Sequence, residues 1–99
     1  MKFMVTWQFH PGKLGEALQV FSKMTAEDDA RNYGNVKPIG RWHDVTRGRG
    51  VAIVEAESAA DLAHWALHWN GMLDLEVTPV LDDEETRQVG REQAQQSSI

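Results

Sequence analysis

No cysteine occurs among the 99 residues, which excludes disulfides, a thiol nucleophile and Cys-ligated zinc or iron–sulfur centres. Long apolar runs are also missing: none approaches the roughly 20 residues that a bilayer-spanning helix needs. Met1 to Phe9 has neither the extended apolar segment nor the small-residue cleavage site of a secretory signal, so a cytoplasmic location is expected. Positive charge is scarce, with 10 Lys and Arg against 15 Asp and Glu and a net charge of -5. Residues 82–99 alone hold five carboxylates against two arginines, so most of the acidity belongs to the tail. The rest is close to balanced and offers no broad basic footprint, so neither nucleic acid nor a membrane is expected as a partner. No G-x-S-x-G, H-E-x-x-H or phosphate-binding loop is present.

What is present is an ordinary globular pattern, 41% hydrophobic and 25% charged, of a length that supports one core. Phe3, Val5, Trp7 and Phe9 alternate with Lys2, Met4, Thr6 and Gln8, the period of a half-buried strand. After Pro11-Gly12, the positions Leu14, Ala17, Leu18, Phe21 and Met24 recur at helical spacing, predicting one amphipathic helix that decays near Ala30. Val36–Val45 and Val51–Ala56 read as strands joined by a glycine-bearing turn, a hairpin. Ser58 with Asp61 is a capping-box-like start for a second helix over 59–70, stopped by Asn70-Gly71. Leu73 to Leu81 alternates again, and Pro79 points to an edge or strand end.

The expected fold is therefore α+β: a ferredoxin-like β-α-β-β-α-β chain with a four-stranded antiparallel sheet. The domain is expected over 1–81, followed by an acidic tail over 82–99 that begins as a short turn or helix and ends in disorder. Taking Arg47-Gly48-Arg49 as the loop pairs Val45 with Val51, His43 with Ile53 and Arg41 with Glu55. That register places Val36, Gly40, Trp42, Ala52, Val54 and Ala56 beneath the helices. Met4, Ile39, Val45, Val51 and Ile53 then lie on the open face with Arg41, His43 and Glu55. So many aliphatic side chains on an open face predict that a second copy covers it, giving a homodimer.

Several residues carry candidate chemistry. Trp7, Trp42 and Trp69 converge between sheet and helices in this register, beside the small residues Gly40, Ala52 and Ala56. An aromatic-lined hollow of this kind suits a small hydrophobic or aromatic molecule; the simpler role is to fill gaps in the core. His43 is the candidate general base, with Arg41 and Glu55 to stabilise and orient; the plainer alternative is an ion pair within the interface. His10, at the end of the first strand, joins the ligand-binding candidates, although it also suits a strand end that caps the helix entry. Asp61, His64 and His68 have metal-like spacing, but the wheel sets both histidines opposite Leu62, Trp65, Ala66 and Trp69, so no metal or other cofactor is assigned. Arg47-Gly48-Arg49-Gly50 precedes a strand, which rules out a dinucleotide fingerprint. Arg49, Val51 and Val54 stand where an RNA-recognition motif would need aromatic rings.

The strings Met1-Lys2-Phe3-Met4-Val5-Thr6-Trp7, Gly40-Arg41-Trp42-His43, Val54-Glu55-Ala56, Trp69-Asn70 and Glu76 to Glu85 resemble a family of short bacterial proteins, domain-of-unknown-function family 3303. The resemblance covers about residues 1–85; Thr25 to Asn35 and the His64/His68 pair fall outside it. It implies membership of the dimeric α+β barrel superfamily, in which two ferredoxin-like sheets pack face to face. That superfamily includes cofactor-free monooxygenases, haem-degrading enzymes, polyketide cyclases and stress-response dimers, so it selects no single function. Two readings follow. One is a homodimeric binding protein or cofactor-independent enzyme for a small hydrophobic or aromatic metabolite; the other is a non-enzymatic structural or stress-related homodimer.

Overall fold

Alternation in four segments and helical spacing between them are realised in a computed structural model that describes residues 1–97. The order is β1 (Lys2–Phe9), α1 (Leu14–Ser22), α2 (Ala26–Tyr33), β2 (Lys37–Asp44), β3 (Arg49–Glu55), α3 (Ala59–Leu67), β4 (Leu73–Val80) and α4 (Asp83–Ser97). The four strands form one sheet in the order β2-β3-β1-β4, every pair antiparallel, which is the ferredoxin-like arrangement in an α+β fold. β4 is an edge strand, consistent with Pro79, whose missing N–H would break a central ladder. Among the described residues no helix is long and apolar enough to cross a membrane.

β1 sits centrally because both its neighbours find a matching apolar face. Phe3, Val5 and Trp7 pair with Val54, Ala52 and Gly50 on one side and with Pro79, Val77 and Leu75 on the other. The core is Val5, Trp7, Ala52, Val54 and Leu73 from the sheet, Tyr33 from α2, Leu62 and Trp65 from α3, and the flanking Val36 and Ala56.

The hairpin departs from the expected register. Asp44 pairs with Arg49, leaving a four-residue turn, Val45 to Gly48. The cause is local. The Asp44 carboxylate accepts the Thr46 hydroxyl at 2.7 Å and the Arg47 N–H at 3.3 Å, while Arg49 Nε donates to its other oxygen at 2.9 Å. Gly48 takes the left-handed conformation, φ 64°, that closes the turn. From Gly40 to Asp44 the slip is odd-numbered and exchanges the faces, whereas Lys37 and Pro38, before an irregularity, keep theirs. Arg41 and His43 therefore lie on the helix side, beside Ala52 and Gly50, while Trp42 and Gly40 lie on the open side, beside Val51 and Ile53. Glu55 pairs with Lys37 and Lys2 at the far end of the sheet, not with Arg41. Ile39 stands at an irregularity between Pro38 and Gly40, and Val45 is in the turn.

One helix was expected between β1 and β2, and there are two. Thr25 accepts the Asp28 N–H at 3.1 Å and Asp28 accepts the Thr25 N–H at 3.0 Å, a reciprocal cap that starts α2 afresh. These bonds hold the Asp28 carboxyl below the usual carboxylate range. Thr25→Ala should lower the unfolding free energy by about 1 kcal/mol, measured in urea, as loss of an N-cap does. In α3 the Ser58 hydroxyl accepts the Asp61 N–H at 3.2 Å as expected, but the helix ends at Leu67, with His68 as its cap.

The tail also differs. Where a short turn or helix followed by disorder was expected, α4 runs from Asp83 to Ser97; residues 98–99 lie outside the described residues. Asp82 and Glu85 cap its start reciprocally, at 2.8 and 3.1 Å, and Glu84 pairs with Arg87 and Arg91 along it. Lys2 reaches Asp82 and Glu85, each at 3.3 Å, and ties the helix start to β1; those two carboxylates raise the Lys2 pKa. None of residues 83–96 is buried, and the molecule measures 58 × 27 × 19 Å.

Candidate functional site

Register places the site. Across the helix side of the sheet runs the row Leu75, Trp7, Gly50, His43. A Cβ at Gly50 would overlap the Trp7 indole, so glycine is what lets that ring lie across β3 towards the edge strand. There the Trp7 and His43 rings meet edge to face at 5.8 Å between centroids. Phe21, at the end of α1, lies 5.1 Å from the His43 ring.

Above this row is a cavity of about 70 Å³, walled by Leu14, Ala17, Leu18 and Phe21 of α1 and by Trp65, Ala66 and Trp69 around α3. Trp7 and Leu75 form its floor, and Arg41, His43, Asp44 and Arg49 stand at its polar end. Three of the four tryptophans thus converge, but they are Trp7, Trp65 and Trp69. Trp42 is on the opposite face, 61% exposed, with its ring over Gly40. Trp65, in place of Trp42, completes the aromatic set and stacks on Tyr33 at 5.0 Å.

Arg41 is held from α2. Its NH1 donates to Asp29 Oδ1 at 3.1 Å and to the Tyr33 hydroxyl at 2.9 Å, and its NH2 donates to Asp29 Oδ2 at 2.9 Å. The guanidinium also lies over the Phe21 and Tyr33 rings, at 5.0 and 5.3 Å. The carboxylate beside Arg41 is therefore Asp29, and Glu55 has no part in the site. Asp29, Tyr33, Phe21 and Trp65 were not among the expected site residues. The Thr25/Asp28 cap, the same type of signal read correctly at Ser58/Asp61, could have revealed the helix that carries Asp29 and Tyr33.

His43 sits at the exposed mouth of the cavity, on the edge strand. Partial desolvation lowers its pKa below the usual histidine value, and the Arg41 charge lowers it further; Asp29 opposes both. The imidazole is neutral at pH 7 and makes no hydrogen bond to any described residue. It therefore presents one free acceptor nitrogen and one free N–H. Among the described residues, no buried side-chain polar atom lacks a partner, so no indole N–H of the cavity wall is both sealed from water and unpaired.

The remaining candidates stand elsewhere. His10 Nε2 lies 2.9 Å from Asp74 Oδ1 and does not line the cavity; its carbonyl accepts the Lys13 N–H at the entry to α1. His64 and His68 are exposed on α3 and its cap, and Asp61 accepts a bond from Asn35 at 3.2 Å. Among the described residues no group of three or more metal-ligating side chains is close enough to hold an ion.

The fold and cavity define an α+β sheet domain with an aromatic-lined hollow beneath its helices. The chain matches the family model described as Domain of unknown function (DUF3303) over residues 1–94 and belongs to that family. The match runs through most of α4. No curated protein is matched by the chain.

Proposed function

We propose that this protein is a homodimer that binds a small hydrophobic or aromatic molecule between its sheet and helices, with His43 as the group that hydrogen-bonds it. One observation carries this reading: a neutral imidazole with no hydrogen-bond partner among the described residues stands at the mouth of a largely apolar, aromatic cavity whose other polar groups are paired with one another or with α2. As an enzyme it would need no cofactor for proton abstraction, because a neutral His43 at pH 7 is equipped to act as a general base. Arg41 contributes little anion stabilisation, since Asp29 already balances its charge.

The dimer half of the proposal rests on the open face. Its two central rows are Thr78, Met4, Ile53, Gly40 and Glu76, Thr6, Val51, Trp42. The rows on either side are mostly charged or polar: Val80, Lys2, Glu55 and Lys37 at one end, Asp74, Gln8, Arg49 and Asp44 at the other. Met4, Ile53, Val51 and Trp42 thus cluster within a mostly polar surround, the anatomy of a protein interface, and face-to-face packing of two such sheets is the dimeric α+β barrel.

A second reading, a homodimer without a ligand, is favoured by the cavity volume. About 70 Å³ is less than the roughly 150 Å³ of an engineered cavity that admits benzene. Against this, the wall that must yield is α1, whose sole buried residue is Ala17 and whose N-cap has no side-chain bond.

Phenol, titrated against the protein and followed through the indole N–H resonances, tests the proposal. Saturable shifts at the Trp7, Trp65 and Trp69 signals are expected, with affinity falling about tenfold in His43→Phe, the scale of one lost hydrogen bond. Binding should hold at pH 6.5 and weaken as the pH falls through the lowered His43 pKa, because the imidazolium has no acceptor nitrogen; Arg41 and Asp29 are the charged groups facing it. Protonation in the unfolded chain begins earlier, near pH 6.5, so folding stability also declines as the pH drops below that value. No shift with phenol would sink the ligand reading, and equal binding by His43→Phe would remove His43 from it.

A further inference from the structure

The charged groups around the cavity are all spoken for. Arg49 pairs with Asp44 at 2.9 Å, and Arg41 is clamped by both oxygens of Asp29 and by the Tyr33 hydroxyl. Both members of the Arg41–Asp29 pair are largely shielded, with side-chain exposures of 20% and 30%. A bidentate pair of this kind offsets most of the guanidinium charge, and the bonded NH1 and NH2 donors are engaged by Asp29 and Tyr33 of α2, although it is Arg41 and not Asp29 that lines the cavity. His43 adds no charge at neutral pH. An anion entering here would shed water and meet only arginines already offset by Asp29 and Asp44, which is costly, whereas a neutral ring with one polar atom would meet aromatic walls and a free imidazole.

We infer that the site selects uncharged ring compounds over carboxylates of the same shape, and that Asp29 sets this preference by cancelling the charge of Arg41. This rests on the reading of the cavity as a ligand site. Asp29 acts through Arg41, as a positioning and specificity residue, and need not touch the ligand.

Benzamide and benzoate are nearly isosteric and differ in charge, so their ratio reads the preference directly. Titrated at pH 7.5 into the full chain, benzamide should bind at least about tenfold more tightly than benzoate. Asp29→Asn keeps the side-chain size and one acceptor for Arg41 but leaves the guanidinium charge uncompensated. In that variant benzoate affinity should rise at least fivefold while benzamide affinity stays within about twofold, so the ratio narrows or reverses. Tyr33→Phe removes a hydrogen bond to Arg41 but no charge, and should keep the wild-type ratio. Circular dichroism establishes that each variant is folded. Should Asp29→Asn fail to fold, Arg41→Gln serves instead: it leaves the Asp29 carboxylate unbalanced, and benzoate should be excluded more strongly than in the wild type. Equal binding of benzamide and benzoate by the wild type overturns the inference while the cavity reading survives. So does an unchanged ratio in folded Asp29→Asn. If neither compound, nor phenol, shifts the indole signals, the cavity reading fails and the inference fails with it.

Discussion

Trp42→Asp is expected to give a folded monomer where the unaltered chain is a dimer at about 10 µM by light scattering. The substitution leaves the protomer's own core alone, because Trp42 is 61% exposed and touches the rest of the chain chiefly through its ring over Gly40. Beside Val51 on the open face, it would be a large anchor in the proposed contact with a second copy. Burying such a side chain contributes roughly 1.5–3 kcal/mol, and a carboxylate in its place adds a desolvation penalty. Together these raise the dissociation constant by about 100-fold or more. Ile53→Asp should act in the same direction. It is a less clean probe, since Ile53 is half-buried between β1 and β2 and the variant risks unfolding the protomer as well. A wild type that stays monomeric, or a Trp42→Asp variant that stays dimeric, would remove the open face as the contact.

Trp42 is also where the sequence was most misleading. Sheet faces for β1 and β4 were legible because alternation leaves one choice for each. β3 is apolar throughout Val51 to Val54, and its pairing puts Ala52 and Val54 with Phe3, Val5 and Trp7, as the small size of Ala52 beneath the helices suggests. The β2 register was not legible from alternation. Arg47-Gly48-Arg49-Gly50 allows more than one turn, and Gly40-Arg41-Trp42-His43 has no apolar period to break the tie. What decides it is the Asp44 side chain, whose bonds to Thr46, Arg47 and Arg49 lie within one turn but compete with other loop geometries. An odd slip exchanges Trp42 for His43. The two residues stand on opposite faces as expected, with their sides reversed. The histidine belongs to the aromatic hollow and the tryptophan to the open face.

The separate helix α2 was hidden for another reason. Helical spacing carries through Met24 and masks the restart at Thr25, so the sequence puts Asp29 at the decaying end of one helix and Tyr33 in the break that follows it. α4 was hidden because it lacks an apolar stripe; its order comes from caps and charge pairs at three- and four-residue spacing, which composition alone does not weigh.

Trp65→Ala is expected to cost the protomer about 3–5 kcal/mol, the range for deleting a large aromatic from a packed core. Trp65 is 6% exposed on α3 and does two jobs. One side of its indole stacks on Tyr33 and so joins α3 to α2, and through Tyr33 to the Arg41 clamp. The indole is also a wall of the cavity. Trp65 belongs to the packed core cluster, whose other members are held in place by the sheet, by α2 and by α3, so most of the void would persist. Against a total stability of roughly 5–15 kcal/mol for a domain of this size, that loss should lower the melting temperature by about 15 °C or more. The enlarged hollow changes binding in the opposite sense. At temperatures where Trp65→Ala remains folded, it should admit rings larger than phenol that the unaltered protein excludes, such as naphthol. Calorimetric melting and a naphthol titration on the same sample separate the two effects. A melting point within a few degrees of the wild type would show that Trp65 is not the link between α3 and α2. Naphthol exclusion by the folded variant would show that the space left by the indole does not open into the ligand site.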